Sequence, residues 1–350
     1  MGNPSWPSID VIVPVYNEAA TIRAKLSNLA ELDYPRGCLR VIVVDGQSDD
    51  GTAELVERWN RPHEFRVEVL RSEAVGKPAQ VTAGLGRTRT EWVLVTDADA
   101  RLPDGVLKSM VELAQADERV GLVGTPIHPM GDDPFDRAHW TMANWLRRLE
   151  RNWGTAGLVV GPCYLARREL LAVLGWGTIV DDVYVSCRAL LAGYRIELTS
   201  LPVRELRVPV GGRELLRHKL RKAMGYLRET ARALPHAEAR NFATSIMVLW
   251  RAGLLVGLPL ALWGGVAVAV ARFGWSHAAV AALTVLVAVW GLAARGGRGR
   301  LTRAAAIIAT PFLTAVILTA AVLLLPFVPL SARYRKVSLP EAPLLDTDPL

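Results

Sequence analysis

The chain has 350 residues, 51% of them hydrophobic and 21% charged, with a formal net charge of +7 at pH 7 and a mean hydropathy of +0.22. Such a composition is too apolar for an ordinary soluble enzyme and predicts a globular domain followed by a membrane part beyond about residue 240. The charge is lopsided, with a net of −5 over residues 1–203, +6 over 204–240 and +6 over 241–350. Positive charge placed beside apolar segments fits anionic lipid headgroups better than nucleic acid.

The first predicted element, Ile9–Glu18 ("IDVIVPVYNE"), is a short β-branched run ended by Pro14 and a polar turn. An amphipathic helix follows, with Ile22, Leu26 and Leu29 on one face. Leu39–Thr52 ("LRVIVVDGQSDDGT") repeats the design, and Thr52 is placed to cap the next helix. Further strands are expected at Phe65–Leu70 and Glu91–Asp99. Alternating strands and helices predict an α/β domain with a mostly parallel sheet, whose ligands gather at the carboxyl ends of strands. Asp45 and the pair Asp97/Asp99 stand at such ends. Residues i and i+2 of an extended segment share a side, so Asp97 and Asp99 repel unless a cation sits between them. Neither G-x-G-x-x-G after the first strand nor a P-loop signature occurs, which argues against dinucleotide oxidoreductases and P-loop NTPases.

Cys38, Cys163 and Cys187 lie far apart without C-x-x-C spacing and are expected to be reduced thiols of a cytoplasmic domain. The N-terminus has no basic n-region or apolar h-region, so no signal peptide is expected. The histidines lack metal-ligand spacing, and His128, His139 and His218 read as ordinary surface or helix residues.

Five markers occur in order: "PVYNE" (14–18), "VVDGQSDDGT" (43–52), "GKPAQVTAGL" (76–85), "TDADA" (96–100) and "VDDVYVSCRALLAGYRI" (180–196). Together they resemble the inverting glycosyltransferases of family 2, which have the GT-A nucleotide-sugar-binding fold, over roughly the first two-thirds of the chain. The resemblance implies that Asp97 and Asp99 hold Mg²⁺ or Mn²⁺ against the diphosphate of a nucleotide sugar, with Asp99 the direct ligand. It implies nucleotide-sugar contacts for Asp45 at the base, for Pro14, Tyr16 and Glu18 around the nucleoside, and for Lys77. Glu18 equally suits the first turn of a helix, where negative charge is favoured. Asp182 matches the family's general base, and Asp181 stands where the family has Glu. "GPCYLARREL" (161–170) resembles the acceptor loop before an Arg-Arg helix start, and Cys163 within it reads as a small buried thiol.

Arg213–Leu234 spaces Leu216, Leu220, Ala223 and Leu227 by three or four, with Arg217, Arg221 and Arg228 off that row. It reads as a basic amphipathic helix in the headgroup layer. Processive relatives carry Q-x-x-R-W in this helix; here Arg221 is kept, and His218 and Lys222 replace Gln and Trp. That departure favours transfer of one or a few sugars, with Arg221 placed to bind the leaving diphosphate. Membrane spans are expected at about 252–271, 278–294 and 304–330. The basic loop 295–303 is expected on the cytoplasmic side, and the basic tail at 333–336 conflicts with three full spans.

The expected organisation is therefore a GT-A domain (1–203), a basic interfacial helix region (204–240), about three transmembrane helices (241–335) and a tail (336–350). The expected activity is transfer from a nucleotide sugar, UDP-linked for preference, to a lipid-linked or saccharide acceptor at a membrane, with no nucleic-acid partner. A processive polysaccharide synthase and a silent nucleotide-sugar-binding subunit are the competing readings.

Overall fold

A computed structural model describes residues 6–59, 65–73, 76–131, 133–172, 174–175, 177–207, 212–236, 242–294 and 300–328. Its first half runs β1 (Ile9–Val15), α1 (Ile22–Glu31), β2 (Leu39–Asp45), α2 (Thr52–Glu57), β3 (Arg66–Arg71), α3 (Lys77–Leu85), β4 (Trp92–Thr96), β5 (Ala100–Arg101), α4 (Val106–Gln115), β6 (Val120–Gly124) and β7 (Ile127–Pro129). There follow α5 (Pro134–Asn152), β8 (Cys163–Arg167), α6 (Arg168–Leu171), α7 (Asp181–Leu191), β9 (Arg195–Leu198), β10 (Val203–Glu205), α8 (Gly212–Ala233), α9 (Phe242–Ala294) and α10 (Arg300–Leu324).

Seven strands form the main sheet in the order β3-β2-β1-β4-β8-β6-β9, and β5-β10-β7 form a small second sheet. Every residue of β1, β4 and β6 is buried, as continuous apolar runs covered on both faces should be. Leu26 and Leu29 of α1 and Met110 of α4 pack on one face, while Val81 of α3 and Val185 of α7 pack on the other. The helix face predicted from Ile22, Leu26 and Leu29 is the one buried.

Strands β5 to β10 are not among those expected from the sequence. Cys163–Arg167, read as a loop and helix start, is β8, which runs antiparallel to both β4 and β6. Its five residues are too few for a periodic signal, and the following Arg168–Leu171 helix has one turn.

The order β2-β1-β4 places a switch point between β1 and β4, where chain connections leave in opposite directions. Gln80 marks it from α3, its amide donating to Val15 O at 2.6 Å and Val44 O at 2.9 Å where these strands end. The helix comes close because residue 84 is glycine: a Cβ there would lie 2.9 Å from Val44 Cγ2 and 3.0 Å from Ile12 Cγ2.

The apolar helix is tied to the sheet domain through Glu150 of α5, whose side chain is fully buried. Its carboxylate accepts from Arg251 Nη2 at 2.5 Å, Trp250 Nε1 at 3.0 Å and the Gly157 amide at 3.0 Å. Thr244–Ser276, 33 residues with a hydropathy of 2.2, is long and apolar enough to cross a membrane. It includes the expected 252–271 span. The α9 backbone breaks at Gly274 (φ 78°), ahead of the expected second span. Pro311 lies inside α10 and does not end it. The tail charges at 333–336 and residues 295–299 of the basic loop lie outside the described residues.

Candidate active site

A pocket opens at the switch point, walled by Pro14 at the end of β1 with Tyr16 and Glu18 after it, Gly76 and Lys77 at the start of α3, and Asp97 and Asp99 after β4. Its other wall brings Gly161, Asp181, Asp182, Glu205, Arg207, Arg221 and Lys222 to the same space. Of the sequence-predicted residues, only Asp45 is outside this lining. It is 3% exposed, and its carboxylate turns inward to accept from the Ser48 hydroxyl and, at 3.3 Å, the Ser48 amide. Gly46, beside it, is the residue that lines the pocket.

The loops around β1 and β2 are built by side chains that satisfy backbone amides. Asn17, at φ 52°, accepts from the Asp49 amide at 3.0 Å, and Thr52 Oγ1 accepts from the Glu18 amide at 2.8 Å. Thr52 thus bridges the two loops. Glu18 opens the turn into α1, its carbonyl accepting from the Ile22 amide at 2.9 Å, while its Oε2 faces the pocket side and accepts from Thr21 Oγ1 at 2.6 Å and Arg207 Nη2 at 2.8 Å.

The two carboxylates after β4 are held differently. Asp97 Oδ1 lies 2.7 Å from Lys77 Nζ, whereas Asp99 Oδ2 lies 3.3 Å from Arg207 Nε. Burial, then the like charges of Asp97, Glu18 and Glu205, push the Asp99 carboxyl up to about 7 against the pull of Arg207. Such crowding of hard oxygen donors suits a divalent cation. Among the described residues no three His, Cys, Asp or Glu side chains form a closed cage.

Lys77 links this half of the pocket to the other. Burial lowers its affinity for a proton, but Asp181 and Asp97 outweigh that and hold it firmly cationic. Its ammonium also donates to Gly161 O at 2.5 Å and lies 3.8 Å from Asp181 Oδ2. Asp181 and Asp182 open α7. Tyr164 of β8 donates its hydroxyl to Asp181 Oδ2 at 2.7 Å, and the Gly161 amide donates to Asp182 Oδ2 at 2.7 Å. Burial and then Asp181 raise the Asp182 carboxyl to about 6, opposed by Lys77, Lys222 and the Val183 amide. A buried carboxylate poised near neutrality, on a helix N-terminus, has the properties of a general base.

Several site residues escaped the sequence reading. Lys25 of α1 is 2% exposed and spans the acid-bearing turn from below, donating at 2.7 Å to both Thr96 Oγ1 and Ala100 O. Burial lowers its ammonium to about 8. Glu205 and Arg207 alternate along the extended segment that follows β9, and their i, i+2 spacing was the available signal. Trp140 arrives from α5, an element whose Asp133 cap and Pro134 start were also legible. His218 is a correction: it is a pocket-lining residue of α8 and no ordinary surface side chain.

The row of α8 that packs inward is also not the leucine row. Leu215, Met224, Gly225, Glu229, Thr230 and Ala233 are buried, whereas Leu216 is 52% exposed. Cys163 is fully buried, as expected, and burial raises its thiol to about 11.

Fold and pocket together define a GT-A-like α/β domain, with acidic side chains at the carboxyl ends of a mostly parallel sheet. Residues 10–175 match the profile of glycosyl transferase family 2. An N-acetylglucosaminyltransferase of Rhizobium sp. (strain N33) is 29% identical over 252 residues, spanning 67% of this chain and 56% of the relative. A beta-monoglucosyldiacylglycerol synthase of Trichormus variabilis is 29% identical over 57% of this chain and 44% of its own length. The chain thus matches about half the length of these relatives. A mannosyltransferase from Pyrobaculum calidifontis, solved with GDP-Man and Mn²⁺, superposes with a TM-score of 0.71 at 27% identity, covering 93% of this chain and 89% of that one.

Proposed function

We propose that this protein is a membrane-anchored, metal-dependent, inverting glycosyltransferase that moves a sugar from a nucleotide-diphospho-sugar to a hydroxyl of a lipid-linked or saccharide acceptor. The observation that carries the reading is the convergence of Asp97, Asp99, Lys77 and Asp182 on one pocket. The Mn²⁺ and GDP-Man of the structural relative, and the sugar transfer named for the sequence relatives, agree with it.

In this reading Asp99, with Asp97, holds Mg²⁺ or Mn²⁺, which when bound offsets the negative charge of the departing diphosphate. Pro14, Tyr16 and Glu18 frame the nucleoside, Asp45 shapes the base-side loop through Ser48, and Arg221 faces the diphosphate. Lys77 keeps Asp97 and Asp181 at fixed separation with its single charge. Asp182 accepts the acceptor hydroxyl's proton, and Asp181, held by Tyr164, keeps it raised and oriented. One base opposite the leaving group produces inversion. Thr244–Ser276 anchors the domain in the bilayer, and the exposed Leu216 side of α8 rests on the headgroups.

The test is nucleotide release from UDP-, GDP- and dTDP-sugars by full-length protein in native-like lipid, with Mg²⁺ or Mn²⁺. The expected result is release from one donor class, abolished by EDTA. Metal-independent release, or binding of every nucleotide sugar without turnover in the presence of membrane lipid extract, would overturn the enzyme reading in favour of a silent binding subunit.

A further inference from the structure

The acidic half of the pocket is faced by a basic wall on α8. His218, Arg221 and Lys222 line it, and Lys219 adjoins them. The crowding is evident at two imidazoles. Burial, then Lys222, Arg221 and Lys219, drive His218 far below its ordinary value. Burial with Lys219 and Lys222 does the same to His139.

Compensation along the wall is unequal. Lys219 Nζ has Asp136 Oδ1 at 2.7 Å. Lys222 has no carboxylate in salt-bridge reach among the described residues; its ammonium stands 5.4 Å from the centroid of the Trp140 ring, which also lines the pocket. Its field reaches Asp182 and Glu205 and favours the ionised form of each. A half-buried ammonium that faces a pocket, rests on an aromatic ring and lacks a counter-charge of its own is placed to meet an incoming anion.

Two anions are available to a transferase of this kind: the diphosphate of the donor and a phosphate on the acceptor. The first is met by Lys77, which lies against Asp97, by the acid pair, which accepts a dication, and by Arg221 of α8. Lys222, like Lys77, acts on Asp182, but unlike Lys77 it has no carboxylate in salt-bridge reach among the described residues to hold it. We propose that Lys222, floored by Trp140, forms an acceptor subsite for a lipid that carries a phosphate ester close to the hydroxyl presented to Asp182. The subsite rests on the transferase reading and narrows its acceptor class to anionic lipids. Neutral glycerolipids and bare saccharides are the acceptors it disfavours.

The experiment measures equilibrium binding, which needs no turnover. Full-length protein in nanodiscs of phosphatidylcholine is titrated with phosphatidylglycerol, with a polyprenyl-diphosphate-linked monosaccharide, and with the same sugar on an uncharged alkyl chain. The wild type is compared with Lys222→Ala and Lys222→Arg, each checked for unchanged thermal unfolding. Loss of the charge is expected to weaken one phosphate-bearing lipid about tenfold or more, the scale of one charge-assisted contact. Lys222→Arg retains it, and the uncharged analogue is unaffected. Whichever lipid shows the effect identifies the source of the phosphate. Equal binding by wild type and Lys222→Ala would overturn the subsite. So would a parallel loss of nucleotide affinity, which would move Lys222 to the donor side. Failure of nucleotide release with the charge effect intact would sink the transferase reading instead, so the two failures are distinguishable.

Discussion

Asp182→Asn separates chemistry from folding, because its two structural effects oppose one another. The Asp182 carboxyl rises from 3.8 to about 6 through burial and the charge of Asp181. Ionising it at pH 7 therefore costs the folded state at most about 3 kcal/mol, and asparagine removes that cost. Against this, the side chain accepts from two amides, Gly161 at 2.7 Å and Val183 at 2.9 Å. Asparagine keeps one acceptor and turns an NH₂ toward the other amide, a loss of about 1–3 kcal/mol. The sum is near zero, so Asp182→Asn is expected to unfold within about 1 kcal/mol of the wild type at pH 7. Transfer, in contrast, should fall by about 10²–10⁴-fold, the range for a lost general base.

The pH dependence has a definite sign. A carboxyl raised in the folded state imposes no penalty below its unfolded value near 4 and the full penalty above about 6. Stability of the wild type relative to Asp182→Asn should therefore decline as pH rises through that window. The transfer rate should fall as pH drops through about 6, where the base becomes protonated. Urea unfolding at pH 4 and 7, with initial rates from pH 5 to 8, tests both. Retention of more than a tenth of wild-type transfer by Asp182→Asn would refute the base assignment.

Asp99→Asn should abolish Mn²⁺ binding, read by electron paramagnetic resonance, and lower transfer at least about 100-fold; unchanged Mn²⁺ affinity would remove Asp99 from the metal site. Tyr164→Phe deletes the 2.7 Å hydrogen bond to Asp181 and should cost about 1.5–3 kcal/mol in urea unfolding, together with a fall in kcat. If neither changes, Asp181 is not held by that hydroxyl. Gly225→Ala drives a Cβ to 2.4 Å from Val180 Cγ2, the residue before Asp181, and should destabilise by about 1–3 kcal/mol while lowering kcat. Adding Val180→Ala should restore both, and a Gly225→Ala protein of wild-type activity would show that α8 does not fix the acid pair.

Much of the half of the pocket around Glu18, Asp97 and Asp99 was legible because its acids follow buried strands. β1 and β4 are unbroken apolar runs, so Glu18, Asp97 and Asp99 declare themselves as polar residues at strand ends. The half walled by α5 and α8 was less legible for physical reasons. Trp140 and Lys222 are 82 positions apart in sequence, and their contact depends on how α5 and α8 cross. β8 was missed because its neighbours β4 and β6 supply the pairing, and five residues show no period of their own. The leucine row of α8 is a stripe in the sequence, but the helix packs through Gly225 on Val180 and through Glu229, which accepts from the Ile179 amide, rather than through that stripe. The role of Asp45 as a loop-former was open to an Asp-Gly reading, and its carboxylate does bind Ser48.

Glu150 gives the order of synthesis a structural consequence. It lies in α5, yet two of its three hydrogen-bond donors, Trp250 and Arg251, are made about a hundred residues later. Until that later segment leaves the ribosome, the nascent domain holds a carboxylate destined for full burial with only the Gly157 amide to meet it. A buried charge stripped of its partner costs several kcal/mol, so α5 should settle late, after the apolar helix is in reach. Docking of Trp250 and Arg251 against α5 and completion of the sheet domain would then be one event, and a finished sheet domain ahead of the segment that follows it is disfavoured by the chain itself.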